Sequence, residues 1–189
     1  MKPLTSTTPH VIIMVGIPGA GKSAFAERFA KTFQAPIISY QTIQQMGDLD
    51  TATSAQLVGL ILDELLKTQR TIVYEGPTAS KVSRTDISKR VEAAGYKPLL
   101  VWVQTESAEA KRRATRKQKD GVQMTSEEFD AAIKKFTPPS GNEKIVVISG
   151  KHTYATQLKI ILKHLAGTER TELTPESQRI RPSRNVILR

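Results

Sequence analysis

Apolar residues in this chain follow two alternating patterns. Short uninterrupted runs, such as Val-Ile-Ile-Met-Val at residues 11–15, have the composition of a strand buried on both faces of a parallel sheet. Comparable runs recur at residues 36–38, 71–74, 99–103 and 145–148. Between them the apolar positions repeat every three or four residues, as they do along one face of a helix. Leu57, Ile61 and Leu65, flanked by Val58 and Leu62, form one such stripe. Ile87 and Val91 begin another before Gly95, which reads as a helix stop. Thr125 and Glu128 have the spacing of a capping box that opens a helix running to Lys135, and Pro138 and Pro139 forbid its continuation. Leu158, Ile161, Leu162 and Leu165 mark the last helix, with Gly167 past its end.

Strands that alternate with helices are joined by right-handed crossovers, and the helices then cover both faces of a parallel sheet. The pattern therefore predicts an α/β domain with a five-stranded parallel sheet over residues 1–167. Residues 168–189 change in composition to Thr, Glu, Arg, Pro and Ser, and read as a flexible basic tail. A length of 189 residues suits one domain, and five Phe, four Tyr and one Trp supply a real core. No apolar run approaches the ~18–20 residues of a membrane span. Residues 1–10 lack the basic and apolar segments of a secretory signal. The chain has no cysteine, which excludes disulfides, thiolate metal sites and cysteine nucleophiles and fits a cytoplasmic protein.

The formal charge is +10, and residues 111–119 hold six basic side chains without an acid. Such a segment serves nucleic acid, an acidic membrane or a polyphosphate ligand equally well. The glycine-rich segment at residues 16–23 narrows the choice. Gly16-Ile17-Pro18-Gly19-Ala20-Gly21-Lys22-Ser23 matches the G-x-x-x-x-G-K-[ST] pattern, after a predicted strand and at the start of a predicted helix (residues 23–33). Glycines let successive backbone amides turn inward around a phosphate, and the helix adds its N-terminal partial charge. Residues 16–23 together with Ala24 are therefore the expected ATP-binding set, with Lys22 on the β- and γ-phosphates and the Ser23 hydroxyl on Mg²⁺.

Two further groups complete a phosphoryl-transfer site. Glu75 ends a predicted strand and precedes Gly76, at the sheet edge where α/β proteins bind ligands. Its carboxylate is a candidate to hold Mg²⁺ or to take a proton from an acceptor, a role for which Asp48 and Asp50 are lesser candidates. Arg112, Arg113 and Arg116, surrounded by Lys111, Lys117 and Lys119, have helical spacing that would place guanidinium groups together as a lid over the transferring phosphate. No guanine-selecting Asn-Lys-x-Asp loop follows a strand, and the chain is short for a mechanical ATPase.

With these residues in place, the sequence resembles the P-loop kinases of the polynucleotide-kinase and zeta-toxin-like group, within the adenylate-kinase-like class, over residues 11–166. The resemblance rests on the glycine-rich loop, Ile72-Val73-Tyr74-Glu75-Gly76, Arg84, Gly95-Tyr96-Lys97 and the arginines of the lid. It implies a three-layer P-loop NTPase sandwich with a helical lid, and transfer of phosphate from ATP with Mg²⁺ to a hydroxyl. That hydroxyl would belong to a small molecule, a nucleotide sugar or a nucleic-acid 5′ end. It further implies that Gly150, Lys151 and His152 border the adenine. The sequence departs from the group twice: residues 38–42 carry no acid where an aspartate is common, and Glu75 stands where Asp is usual. A catalytically weak ATP-binding or nucleic-acid-binding module is the alternative that these departures favour.

The remaining polar residues carry less. Thr78, Ser80 and Arg84 follow the ligand edge and are candidates to touch an acceptor. Trp102 reads as core, and His10, His152 and His164 lack metal-ligand spacing.

Overall fold

Strand β1 (His10–Val15) is buried along its whole length and forms the centre of the sheet. The computed structural model describes residues 8–47, 49–116, 123–141 and 143–169. Asp48, Lys117, Lys119 and the tail from residue 170 onward lie outside the described residues. After β1 come α1 (Lys22–Phe33), β2 (Ile37–Ser39), α2 (Tyr40–Gly47), α3 (Thr51–Leu66) and β3 (Ile72–Glu75). Then follow α4 (Lys81–Ala93), β4 (Lys97–Gln104), α5 (Ser107–Ala114), α6 (Ser126–Lys135), β5 (Ile145–Ser149) and α7 (Tyr154–Glu169).

The five strands are all parallel, in the order β2-β3-β1-β4-β5. All five predicted strands form, each within two residues of its expected bounds. Alternate residues of the strands feed two cores, because side chains in a strand point to opposite faces. Ile12, Met14, Val101, Val103, Val146 and Ile148 pack with Phe25, Phe29 and Phe33 of α1 and Ile161 and Leu165 of α7. Val11, Ile13, Val15, Ile72, Tyr74 and Leu100 pack on the other face with α3 and α4. A third, smaller cluster joins α5 to α6 through Ala110, Ala114 and Phe129, and Ile17 of the glycine-rich loop packs against it.

Local signals explain most helix ends. Thr125 and Glu128 form the expected capping box of α6, and Phe136 ends that helix in an extended conformation. In α3 the buried positions are Ser54, Val58, Leu62 and Leu66, one step round from the predicted stripe, while Ile61 is exposed. Both registers are apolar in the sequence, and packing against the sheet selects one. The last helix runs on to Glu169 and includes Gly167, since one glycine in a final turn costs only about 1 kcal/mol. Helix α2 is not among the expected elements; it has no fully buried residue, and Tyr40 and Ile43 pack at the margin of the second core. Among the described residues, no helix is long and apolar enough to cross a membrane.

Candidate active site

The loop between β1 and α1 takes its shape from glycine. Gly16, Gly19 and Gly21 all lie at positive φ, at 146°, 72° and 105°. At Gly19 a side chain is excluded twice, because a Cβ there would also collide with the carbonyl oxygen of Ala110 in α5. Gly21 is the N-cap of α1 and has no side chain to bond the amides of the first turn. Those amides therefore remain for an anion, beside the positive end of the helix. From the far side, the Thr105 hydroxyl donates to the Ala20 carbonyl at 2.9 Å. Gly150 approaches the same carbonyl so closely that a Cβ would strike it.

Lys22 folds back over the loop and donates to the Ile17 carbonyl at 3.0 Å. Burial lowers its pKa, and the nearby charge of Glu75 opposes that shift. A buried ammonium with one carbonyl partner is a group prepared for a counter-charge. Beside it, the Ser23 hydroxyl donates to Glu75 Oε1 at 2.6 Å. Glu75 ends β3 and is 8% exposed. The fold thus joins residues 52 positions apart, because β3 pairs directly with β1 and both end at the same edge. Two oxygen ligands on adjacent elements suit a hard cation that keeps most of its coordination for water and phosphate, as Mg²⁺ does. Among the described residues no group of three or more His, Asp or Glu could form a metal cage.

Ser39 of β2 lies next to Glu75 in register, so the end of β2 brings no acid to this edge. The Asp50 carboxylate is the N-cap of α3 and accepts from Ala52 N, Thr53 N and the Thr53 hydroxyl at 2.7–2.9 Å. Those bonds lower its pKa and commit it to the helix.

The arginines of α5 are held by one carboxylate. Arg112 makes two bonds of 2.8 Å to Glu109, and Arg113 Nε donates to it at 2.7 Å. These bonds hold the Glu109 carboxyl down at about 2. Arg113 also donates to the Gly150 carbonyl at 3.1 Å, tying α5 to the β5–α7 loop. Arg116 lies beyond the end of α5 and is exposed, so the helical spacing that grouped it with Arg112 and Arg113 does not apply. Lys111 pairs with Asp130 of α6 at 2.8 Å. Between α5 and the β5–α7 loop lies a recess of about 390 Å³ lined by Glu109, Arg112, Arg113 and Lys151.

Three residues read as candidates for acceptor contact have structural partners. The Thr78 hydroxyl donates to the Met14 carbonyl at 2.8 Å, and Ser80 caps α4. Arg84 is 1% exposed and forms a fork-to-fork pair with Glu143 at 2.8–3.1 Å, with a further bond to the Thr137 carbonyl. That guanidinium stitches the segment after α6 to the start of α4. Sequence reasoning missed a cavity of about 470 Å³ beside Ile17, walled by Trp102 and Phe136. Trp102 packs on the core as expected but also lines this space.

A glycine loop at the first strand–helix junction, a lysine folded over it and a serine–carboxylate pair one strand away define a P-loop NTPase with a kinase-type fold. A family model described as an AAA domain, AAA_33, matches residues 11–139, and the chain belongs to that family within the P-loop kinase group. Among curated proteins none matches this chain in sequence. A gluconokinase from Sinorhizobium meliloti is similar in structure, with a TM-score of 0.63 at 16% identity over 87% of this chain and 94% of that one. Kti12 from Chaetomium thermophilum, in complex with ADP-AlF3, gives 0.65 at 12% identity over 82% and 97%. A chain of the Pnkp1/Rnl/Hen1 complex gives 0.52 at 23% identity over 65% of this chain and 44% of that one. These likenesses define the fold, and the fold implies a bound nucleotide.

Proposed function

We propose that this protein is an ATP-dependent kinase that moves the γ-phosphate of ATP to a hydroxyl acceptor. The observation that carries this reading is the 2.6 Å bond between Ser23 and Glu75 at the mouth of the glycine loop. A simple phosphate-binding loop needs no carboxylate there, whereas phosphoryl transfer needs a place for a divalent cation. Mg²⁺ bound between them would neutralise charge on the β- and γ-phosphates. Lys22, released from the Ile17 carbonyl, pairs with the same phosphates. The backbone N–H groups that the loop and the first turn of α1 leave free fix their orientation. Arg112 and Arg113, with Arg116 beyond them, supply positive charge from the lid side and exclude water. The loose transition state of phosphoryl transfer asks little of a general base. Glu75 can therefore hold the cation and still receive the acceptor's proton late in the reaction. The kinase neighbours support this reading, and the likeness to a chain of an RNA repair complex keeps a nucleic-acid 5′ end among the acceptors worth testing. A cytoplasmic setting, where ATP and Mg²⁺ are both available, fits it.

A second reading is a nucleotide-binding module with little turnover. Its support is the strand end at Ser39, which brings no acid to the site, with Asp50 committed to capping α3. Incubation with ATP, Mg²⁺ and a pool of nucleosides, sugars and 5′-hydroxyl oligonucleotides separates the two. The kinase reading expects labelled phosphate on one acceptor class. Tight ATP binding with no labelled acceptor would overturn it in favour of the module.

A further inference from the structure

The cavity beside Ile17 adds two aromatic rings and an amide, Trp102, Phe136 and Gln104, to the groups assigned to the nucleotide. We propose that it is the acceptor subsite, and that the acceptor is an uncharged, ring-bearing alcohol of the nucleoside class. The proposal rests on the kinase reading for its reaction.

Position comes first. Ile17 is the second residue of the glycine loop, and its carbonyl holds the Lys22 ammonium at 3.0 Å. A molecule against Ile17 is therefore next to the phosphate-binding lysine. The cavity lies at the carboxyl ends of β4 and β5, and its volume of about 470 Å³ suits a small molecule rather than a duplex. It adjoins the recess on α5 that holds Arg112 and Arg113, with the Glu106–Lys151 pair lining both.

Shape and charge narrow the occupant. Trp102 and Phe136 give the cavity two aromatic walls. Val147, the register partner of Trp102, is 45% exposed, so no helix closes this part of the sheet. A flat ring stacks well on such a surface. Gln104 and Ser149, paired in register, add an amide and a hydroxyl that can meet the polar edge of a ring. The charged groups lining the cavity are Glu106 and Lys151, and they pair with each other at 3.2 Å. A sugar acid or a phosphorylated acceptor would find no uncompensated cation there, whereas a neutral ring loses nothing. In the reaction, the acceptor hydroxyl oxygen bonds to the γ-phosphorus and the β–γ bridging P–O bond breaks. ADP leaves with that electron pair, and the hydroxyl proton passes to Glu75 and from there to solvent.

Trp102 is the single tryptophan of the chain, so its fluorescence reports occupancy of the cavity without any turnover. The full chain is titrated with nucleosides, gluconate and a 5′-hydroxyl oligonucleotide, each with and without a non-hydrolysable ATP analogue. The expected result is saturable quenching by at least one nucleoside that persists when the analogue is bound. Phe136→Ala and Gln104→Ala should each raise that dissociation constant by about tenfold, in line with a lost stacking or edge contact. Gln104 is exposed, so its variant tests the site even if the Phe136 variant folds poorly. A response to gluconate or to the oligonucleotide alone would overturn the proposal. So would competition between nucleoside and analogue, which would assign the cavity to the base of the nucleotide itself. Nucleoside binding without phosphate transfer would sink the kinase reading and leave the subsite. Transfer to an acceptor whose KM ignores Gln104→Ala would sink the subsite and leave the kinase.

Discussion

On the proposed kinase reading, the loop at residues 16–24 offers a ligand backbone amides held in place by glycines, whereas α5 offers guanidinium groups held by a neighbouring carboxylate. The two regions touch, since Gly19 packs under Ala110, yet they answer a phosphate differently. The loop has its donors in position before anything binds and loses no side-chain freedom in using them. Arg112 and Arg113 must first release Glu109, so their contribution is conditional on what the ligand offers in exchange. The loop should therefore supply the large, constant share of phosphate stabilisation, and the helix a smaller share set by how readily Glu109 lets go.

The hardest test of that division is Lys22→Ala, which removes the one side chain of the loop that carries charge. Transfer should fall by roughly a thousandfold or more while the melting temperature holds, measured by label transfer and calorimetry. Near-normal transfer would end the assignment. Next comes the buried Arg84. Arg84→Met strands the buried Glu143 carboxylate and should cost about 3–5 kcal/mol in denaturant unfolding. Pairing it with Glu143→Leu should restore most of the loss, because a matched apolar pair needs no counter-charge. Glu75→Gln keeps the shape of the carboxylate but not its charge. Turnover at saturating ATP should drop about a hundredfold, with Mn²⁺ shifting the deficit if a cation is what has been lost. Least in size, Glu109→Gln should free both lid arginines and tighten the ATP analogue by about two- to fivefold, with little change in melting temperature. Because the Glu109 carboxyl is held at about 2, the wild-type restraint should persist unchanged from pH 8 to about 4 and weaken only as pH falls towards that value. A titration of analogue affinity against pH, read beside the variant, checks the sign.

The same division decides what could be read from the chain. The glycine loop was legible because its chemistry is local: eight consecutive residues specify the turn, the amides and the lysine. The capping box at Thr125 and Glu128 was legible for the same reason. Glu75 could be singled out from its place at a strand end, but its bond to Ser23 depends on β3 lying beside β1, which no short window contains. Arg84 was misjudged as an acceptor contact because its partner, Glu143, is 59 residues away and sits in a stretch without pattern. The cavity was missed outright. Trp102 in an apolar strand looks like core, and only the packing of Phe136 after α6 leaves its ring partly open.

The position of β1 has a consequence for how the chain is made. Val11 is paired on one side with Ile72 and on the other with Pro98. During translation the most apolar strand emerges first and waits for both neighbours. At about 5–20 residues per second that wait lasts several seconds. Thr105, which braces the loop at Ala20, emerges later still. A nascent chain therefore cannot grip a nucleotide until its fourth strand has cleared the ribosome. Through that interval the apolar β1 segment lacks one or both of the strands it pairs with.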